Sequence, residues 1–253
     1  MQVHSQDNFT YEIVITGDSS PSLVMTDLTA LEMHQAETMH SRHGALTESL
    51  YIYFENMNCA FEKKWPLRVL SVGLGLGYNE ALLAALALQK GLSAREVSLC
   101  SYEKVDEIRN QYLAWLTNSS AIPFWSTAFS HVTSVIETHF HLPEDSLRSF
   151  LKELFHAEQF IIKSDLLTED WAHFSKPFSS ILFDAFSKKS TPDLWDENFL
   201  NLFLAKAAGP QCLLSTYAAT GALNRSLRKN GFQLVERKGF VHKRESTWAL
   251  RGE

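Results

Sequence analysis

Residues 67–79 read LRVLSVGLGLGYN, and this stretch decides how the rest of the chain is interpreted. Residues 67–72 form a short, mostly apolar run that is typical of a buried strand, and glycines follow at 73, 75 and 77. Glycine permits positive φ angles and lets a ligand approach the backbone closely. Residues 79–89, rich in alanine and leucine, favour a buried helix with free N–H groups at its start. The stretch therefore predicts a strand, a ligand-binding loop and a helix.

The same alternation of strand and helix continues after residue 79. Further strands are predicted at residues 97–102, 160–163, 179–183 and 211–216, and further helices up to 115, at 193–207 and at 221–229. Alternation with short connections favours an α/β fold in which helices cover both faces of a mostly parallel sheet. Such sheets bind ligands at the carboxyl ends of their strands.

Two regions differ from this pattern. Residues 1–60 favour strands at 11–16 and 50–54, and they are predicted to form a small strand-rich appendage to a core of residues 61–253. Residues 117–158 fit the alternation of strand and helix least well. They are predicted to be an insertion that contains an amphipathic helix at 144–155.

Composition narrows the class of protein. With 253 residues, 45% hydrophobic and 21% charged, the chain is too apolar to be disordered and is long enough for one large core. It has no apolar run of the length that a membrane span needs and no secretory signal pattern, so a cytoplasmic location is expected. The three cysteines, Cys59, Cys100 and Cys212, form no C-x-x-C pair, and neither disulfides nor a metal site are predicted.

The charge is unevenly distributed. The net charge of -6 argues against a general nucleic-acid binder, yet residues 225–244 contain seven lysines and arginines and one acid, Glu236. This basic stretch is either a solvated face or a contact for a polyanion, and the sequence leaves both readings open.

The glycine loop carries a first indication of the cofactor. The dinucleotide fingerprint requires glycine at position 78, where Tyr78 stands, and this disfavours NAD or FAD. The spacing of Gly73, Gly75 and Gly77 instead resembles motif I of class I S-adenosylmethionine-dependent methyltransferases, in which the loop passes beneath the methionine moiety. A turn that only packs against the next strand remains the alternative.

The next two strand ends carry residues that suit the remainder of this cofactor. Glu103 follows the strand at 97–102, where its carboxylate would accept hydrogen bonds from a ribose diol. After the strand at 160–163, Asp165 would accept from the adenine amine and Leu166 would cover the ring. Ordinary surface roles for these residues are the alternative.

The strand at 179–183 leads to Asp184, Ala185 and Phe186. An amine must be neutral to attack a methyl group, so a carboxylate that accepts its proton favours the attack. An aromatic ring nearby stabilises the ammonium that develops. Asp184 and Phe186 are the predicted catalytic residues, and the alternative is that Asp184 caps the following helix.

Several segments resemble one family, the methyltransferase domain of the tRNA-modifying enzyme MnmC and its stand-alone form MnmD. They are ITGDSSPSL at 15–23, MHSRHGALTES at 39–49, the glycine loop with Asn79, YEK at 102–104, FDAF at 183–186 with Pro192 and Trp195, STYAA at 215–219, NGF at 230–232 and KRE at 243–245. The resemblance implies the class I methyltransferase fold with a seven-stranded sheet, and S-adenosylmethionine as the cofactor.

The resemblance also implies a reaction and its partners. Methyl transfer would convert 5-aminomethyl-2-thiouridine at the tRNA wobble position into 5-methylaminomethyl-2-thiouridine. In MnmC a fused oxidoreductase exposes the amine, so a separate oxidoreductase or an aminomethyl-uridine-forming enzyme is expected upstream. By matching position, Gly73, Gly75, Gly77, Glu103 and Asp165, with Glu48, would hold the cofactor, Asp184 would be the catalytic acid, and Arg225, Lys243 and Arg244 would contact the anticodon arm.

The chain departs from the family pattern chiefly on the substrate side. The family has a proline two positions after the D-A-F segment, where this chain has SKKS at 187–190, and Asn224 replaces one of two paired arginines. The glycine loop carries Leu74 and Leu76 in place of an aromatic residue and a threonine. Two alternatives follow: a methyltransferase of the same fold that acts on a different amine, and a non-catalytic RNA-binding module.

Overall fold

The N-terminal part of the chain forms a separate antiparallel sheet. The computed structural model describes residues 2–6, 8–28, 36–170, 177–237 and 246–252. The first sheet has the order β1-β2-β3-β4, with β1 Gln2–Gln6, β2 Phe9–Ile15, β3 Pro21–Asp27 and β4 Ala36–Thr38. Every neighbouring pair is antiparallel, and β2 turns into β3 through residues 16–20. The strand-rich character of this region is as expected.

Residues 45–62 are helical, so the strand predicted at 50–54 is wrong. Helix α1 is Ala45–Ser49, a π-helix follows at Leu50–Phe54, and α2 is Glu55–Glu62. Packing overrides the β preference of the aromatic residues, because helical spacing buries Ile52, Tyr53 and Met57 in the core. The Asn56 amide donates to Ser215 Oγ at 3.0 Å, which attaches α2 to the main sheet.

The main sheet confirms the predicted fold class. Its seven strands have the order β10-β11-β9-β8-β5-β6-β7. Strands β5 Leu67–Val72, β6 Val97–Tyr102, β7 Phe160–Lys163, β8 Phe178–Phe183 and β9 Ala208–Thr216 are parallel, and β11 Thr247–Arg251 runs antiparallel between β9 and β10 Gln233–Leu234. Because the chain continues from β5 to β6 on one side and returns to β8 on the other, the switch point lies at β5, where ligands bind in such sheets.

Helices cover both faces of this sheet. Their bounds are α3 Tyr78–Gln89, α4 Asp106–Leu116, α5 Pro123–Phe140, α6 Ser146–His156, α7 Glu197–Ala207 and α8 Gly221–Lys229. The predicted insertion forms mainly α5 and α6, which pack against the outer side of α3 and bury it on every side. None of the helices within the described ranges has the length and apolar character needed to cross a membrane. The division of the chain at residue 60 stays a prediction.

Candidate active site

A cavity of about 900 Å³ opens at the carboxyl ends of β5, β6, β7 and β8. Its floor consists of the residues that follow these strands: the glycine loop, Glu103, the pair Asp165 and Leu166, and the segment 184–186. Residues of the N-terminal sheet and of the segment after it, including Phe9, Tyr11, Met25 and Met39, line it as well. The cavity therefore lies between the main sheet and the N-terminal sheet.

The glycine loop is shaped by close contacts with its neighbours. Gly73 has φ +92°, and a Cβ there would lie 2.4 Å from the carbonyl oxygen of Asp184. Gly77 has φ +81°, and its Cβ would lie 2.6 Å from Cε2 of Tyr112. Any other residue at Gly73 would push the ends of β5 and β8 apart. Gly77 caps α3 and is not among the residues that line the cavity, whereas Gly73 and Gly75 are.

Glu103 joins the loop to the end of β6. Its Oε2 accepts from the backbone N–H of Gly75 at 3.0 Å, and its Oε1 accepts from that of Val105 at 2.9 Å. Burial raises the pKa of Glu103, although these N–H donors oppose the shift. Each carboxylate oxygen has two lone pairs, so both oxygens retain capacity for further donors such as hydroxyls.

Asp165 and Leu166 follow β7 at the opposite end of the cavity floor. Asp165 Oδ1 accepts from the N–H of Leu167 at 2.9 Å and caps the 3₁₀ helix Leu166–Thr168. Its Oδ2 lies 3.6 Å from Nζ of Lys104. Leu166 is buried, and both residues line the cavity. Their assignment to adenine stays a prediction.

Asp184 is partly buried and is held by two neighbours. The Tyr53 hydroxyl donates to Oδ1 at 2.6 Å, and the Asn79 amide donates to Oδ2 at 3.4 Å. Burial, with the negative charge of Glu48, raises the pKa of Asp184 to about 7, although the two donors oppose the shift. A strongly shifted carboxyl group in a cavity is typical of a functional site. Asp184 does not cap the next helix, because Pro192–Trp195 begins after Thr191.

Phe186 lies beside Asp184 on the cavity wall. Its carbonyl oxygen accepts from Trp195 Nε1 and from Thr191 Oγ1, both at 2.8 Å. These bonds fix the backbone that follows residues 184–186. Ser187 and Lys189 continue the same wall toward the exterior.

The N-terminal signature segments position Glu48. The side chains of Thr16, Asp18 and Ser20 accept hydrogen bonds from the backbone N–H groups of residues 45–47 and so cap α1. Although burial opposes it, hydrogen bonds from Ser20, Thr47 and Thr16 lower the pKa of Asp18 to about 2. One turn into α1, Glu48 is buried at the cavity wall.

Among the described cavity residues that the sequence did not predict, three donate side-chain hydrogen bonds to Asp184 or Ala185. Tyr53 was missed because its segment was interpreted as a strand, and Asn79 was noted only as part of a motif. Tyr217 also lines the cavity, and its hydroxyl donates to the carbonyl oxygen of Ala185 at 2.9 Å. Nothing in the local sequence indicates these contacts, since they join positions far apart in the chain.

The predicted substrate residues do not line this cavity in the described ranges. Arg225 is exposed and forms an ion pair with Glu197 at 2.7 Å. Lys243 and Arg244 lie outside the described residues. Arg237, also in the basic stretch, is largely buried against Tyr51 and Trp248.

The comparisons with known proteins agree with this geometry. Residues 140–252 match a family described as S-adenosyl-L-methionine-dependent methyltransferase. The bifunctional tRNA 5-methylaminomethyl-2-thiouridine biosynthesis protein MnmC of Hahella chejuensis is 36% identical over 64 residues, which are 25% of this chain and 10% of that protein. The crystal structure of MNMC2 from Aquifex aeolicus shares the fold at a TM-score of 0.60 and 23% identity, over 95% of this chain and 70% of that one.

Residues 140–252 are thus similar to methyltransferases that depend on S-adenosylmethionine, and the chain shares its fold with the Aquifex structure. The site fits S-adenosylmethionine, because Gly73 and Gly75 line the cavity floor and Glu103 presents a buried acceptor beside them. The resemblance to the MnmC methyltransferase domain is confirmed in sequence and in fold, although the chain matches only about a tenth of the curated relative.

Proposed function

We propose that the protein transfers a methyl group from S-adenosylmethionine to the primary amine of 5-aminomethyl-2-thiouridine at the tRNA wobble position. The product would be 5-methylaminomethyl-2-thiouridine, the nucleoside in the name of the Hahella relative. The observation that carries the proposal is the Asp184 carboxyl group, which shares one cavity with the glycine loop and Glu103. This arrangement brings a proton acceptor to the site of the cofactor.

When bound, the cofactor would supply its sulfonium methyl group, and the sulfur would leave as the neutral thioether. In the proposal Gly73 and Gly75 contact the cofactor with their backbone, and Glu103 accepts from the ribose hydroxyls. Asp165 and Leu166 hold the adenine, and Glu48 holds the methionine end. Gly77 contributes indirectly by capping α3 beneath the loop.

Asp184 accepts the proton that the amine nitrogen loses. A primary alkyl amine is protonated in neutral water and cannot attack in that form, so an acceptor at the nitrogen is needed. A carboxyl group with a pKa of about 7 is ionised in a large fraction of molecules at neutral pH. The ring of Phe186 lies on the same wall and would stabilise the positive charge that develops on nitrogen.

The partners follow from this substrate. The anticodon arm would contact Arg225, Lys243 and Arg244, and these contacts would make binding salt-dependent. A separate oxidoreductase, or an enzyme that forms aminomethyl-uridine directly, would supply the amine. A tRNA substrate is consistent with a cytoplasmic location, which stays a prediction.

A different amine is the second candidate substrate. Ser187 and Lys189 line the cavity where the related family has a different segment. A cation at this wall would repel a cationic amine and favour a substrate that carries a phosphate or carboxylate close to its amine.

The experiment is the transfer of labelled methyl to bulk tRNA from cells that accumulate aminomethyl-uridine. Asp184→Asn serves as the inactive control, and the product is analysed as nucleosides. Label in 5-methylaminomethyl-2-thiouridine would support the proposal. No label, with cofactor binding demonstrated by calorimetry, would exclude tRNA and favour a different amine.

A further inference from the structure

The helical segment 45–62 changes its winding where it passes the active site. Within the π-helix Leu50–Phe54, the N–H of Glu55 donates to the carbonyl oxygen of Leu50, five residues earlier. Isolated π turns in proteins are rare and frequently occur at functional sites. The change of winding lies between α1 and α2, so it sets the direction of the side chains that follow Glu48.

This winding brings Glu48 and Tyr53 to the same cavity. In an α-helix, residues five apart point about 140° away from each other, because each residue turns the helix by about 100°. Glu48 lies in α1, two residues before the π-helix, and Tyr53 lies within it, so the wider turns of the π-helix reduce the angle between the two side chains. Both side chains line the cavity, and the Tyr53 hydroxyl thereby reaches Asp184.

Arg237 holds the π-helix from outside the cavity. Its guanidinium carbon lies 4.2 Å from the ring centre of Tyr51 and 4.4 Å from that of Trp248 on β11. Its Nη1 donates to the carbonyl oxygen of Tyr51 at 3.0 Å, and its Nη2 forms an ion pair with Glu55. Stacking and donation to both ends of the π-helix are suited to a planar guanidinium. Arg237 therefore has a structural role.

The hydrogen bond from the Tyr53 hydroxyl to Asp184 is short. At 2.6 Å it falls in the range of about 2.5–2.7 Å that O–H···O⁻ bonds show. Burial raises the pKa of Tyr53 far above its usual value, and the neighbouring Asp184 charge adds to this. The phenol is thus a donor at every physiological pH, and Asp184 remains the group that accepts a proton.

We propose that Tyr53 is a positioning residue for methyl transfer: its hydroxyl fixes Oδ1 of Asp184 and favours the ionised carboxylate, so that Oδ2, which accepts from the Asn79 amide at 3.4 Å, can use its second lone pair for the amine proton. The π-helix, held by Arg237, sets the position of Tyr53. The inference rests on the proposed transfer to an amine at Asp184.

Several groups face Asp184 and act on its ionisation. Glu48 of α1 and Glu80 of α3 oppose it by their charge, and Asn79 of α3 favours it through its amide. Tyr217, after β9, acts on Tyr53. Two acids therefore oppose the ionisation of Asp184, and two hydrogen bonds favour it. The bond from Tyr53, at 2.6 Å, is the shorter of these two hydrogen bonds.

The test is Tyr53→Phe, which removes the hydroxyl and keeps the ring. A lost hydrogen bond to a charged group corresponds to about 1–2 pKa units. The acid limb of the pH profile of kcat/KM should therefore move to higher pH by that amount. At pH 7 the rate should fall by about 5- to 50-fold and recover at higher pH. Tyr78→Phe is the matched control, because that buried hydroxyl donates to the carbonyl oxygen of Pro21 at 2.7 Å. The acid limb of the pH profile of Tyr78→Phe should not move.

A measurement without substrate separates this inference from the proposed function. With ¹³Cγ-labelled aspartate, the Asp184 resonance is assigned by its loss in Asp184→Asn, and its titration is compared between the unmodified protein and Tyr53→Phe. An upward shift supports the inference, and equal midpoints overturn it. A shift without methyl transfer to tRNA would refute the substrate while the positioning role stands. If Tyr53→Phe does not fold, Arg237→Gln should shift the same resonance upward, and an unchanged midpoint would refute the inference.

Discussion

Replacing Asp184 by asparagine should stabilise the folded protein at neutral pH while it stops methyl transfer. Burial raises the pKa of Asp184 from 3.8 to about 7. The carboxyl group therefore loses its proton at a lower pH in the unfolded chain than in the folded protein. Between these pKa values the folded state binds more protons than the unfolded state, and its stability falls as the pH rises. Asparagine resembles the protonated acid and does not titrate.

The size of the effect follows from the shift. Each unit corresponds to about 1.36 kcal/mol, so the difference between pKa values of 3.8 and about 7 has an upper limit of about 4 kcal/mol. Because Asp184 is only partly buried, solvent screening reduces this, and about 2–4 kcal/mol is expected above pH 7. The stability gained by Asp184→Asn should be small at pH 4. It should increase between pH 4 and pH 7 and should be constant above pH 7.

The assay is urea unfolding of both proteins at pH 5, 6, 7 and 8, with calorimetric cofactor binding and methyl transfer at pH 7.5. Methyl transfer should fall by about 10²–10⁴-fold, the usual contribution of a general base, while cofactor affinity changes little. Glu80 titrates in the same pH range in both proteins and largely cancels. A stability difference that is independent of pH, or that favours the unmodified protein, would refute the reasoning.

The remaining predictions concern the loop and the buried acids. Glu103→Ala should weaken cofactor binding by about 10- to 100-fold, as calorimetry would measure, because acceptors for the ribose hydroxyls are lost; unchanged affinity would contradict the ribose assignment. Gly73→Ala should lower both thermal stability and cofactor affinity, since its Cβ would lie 2.4 Å from the Asp184 carbonyl oxygen; a neutral result in a thermal melt would contradict this contact. Burial raises the pKa of Glu80 from 4.5 to about 7. The Glu80→Gln variant should therefore be more stable than the unmodified protein by up to about 3 kcal/mol above pH 7 and nearly as stable at pH 4.5. A difference in the free energy of urea unfolding that does not change with pH would exclude a buried neutral acid.

Local sequence patterns predicted where the parallel strands of the main sheet lie along the chain. Apolar runs such as 67–72 and 179–183 are strands in the structure, because residues buried on both faces of a parallel sheet must be apolar regardless of their neighbours. The same local logic located the glycine loop and the acids after the strands, since topology requires that parallel strands end at one edge. The helix predicted at 221–229 has these bounds in the structure.

Tertiary structure alone decided the environment of Asp184. The aromatic run at 50–54 has the local preference of a strand, and only burial against the core and the contact with Arg237 make it a π-helix. Tyr53 therefore meets an acid that is 131 positions away in the chain, and no local pattern encodes that pairing. The raised pKa of Asp184 likewise depends on burial and on Glu48, which are properties of the assembled cavity. Residue type and spacing indicated where the chemistry could occur, and the packing of distant segments decided the protonation state in which it operates.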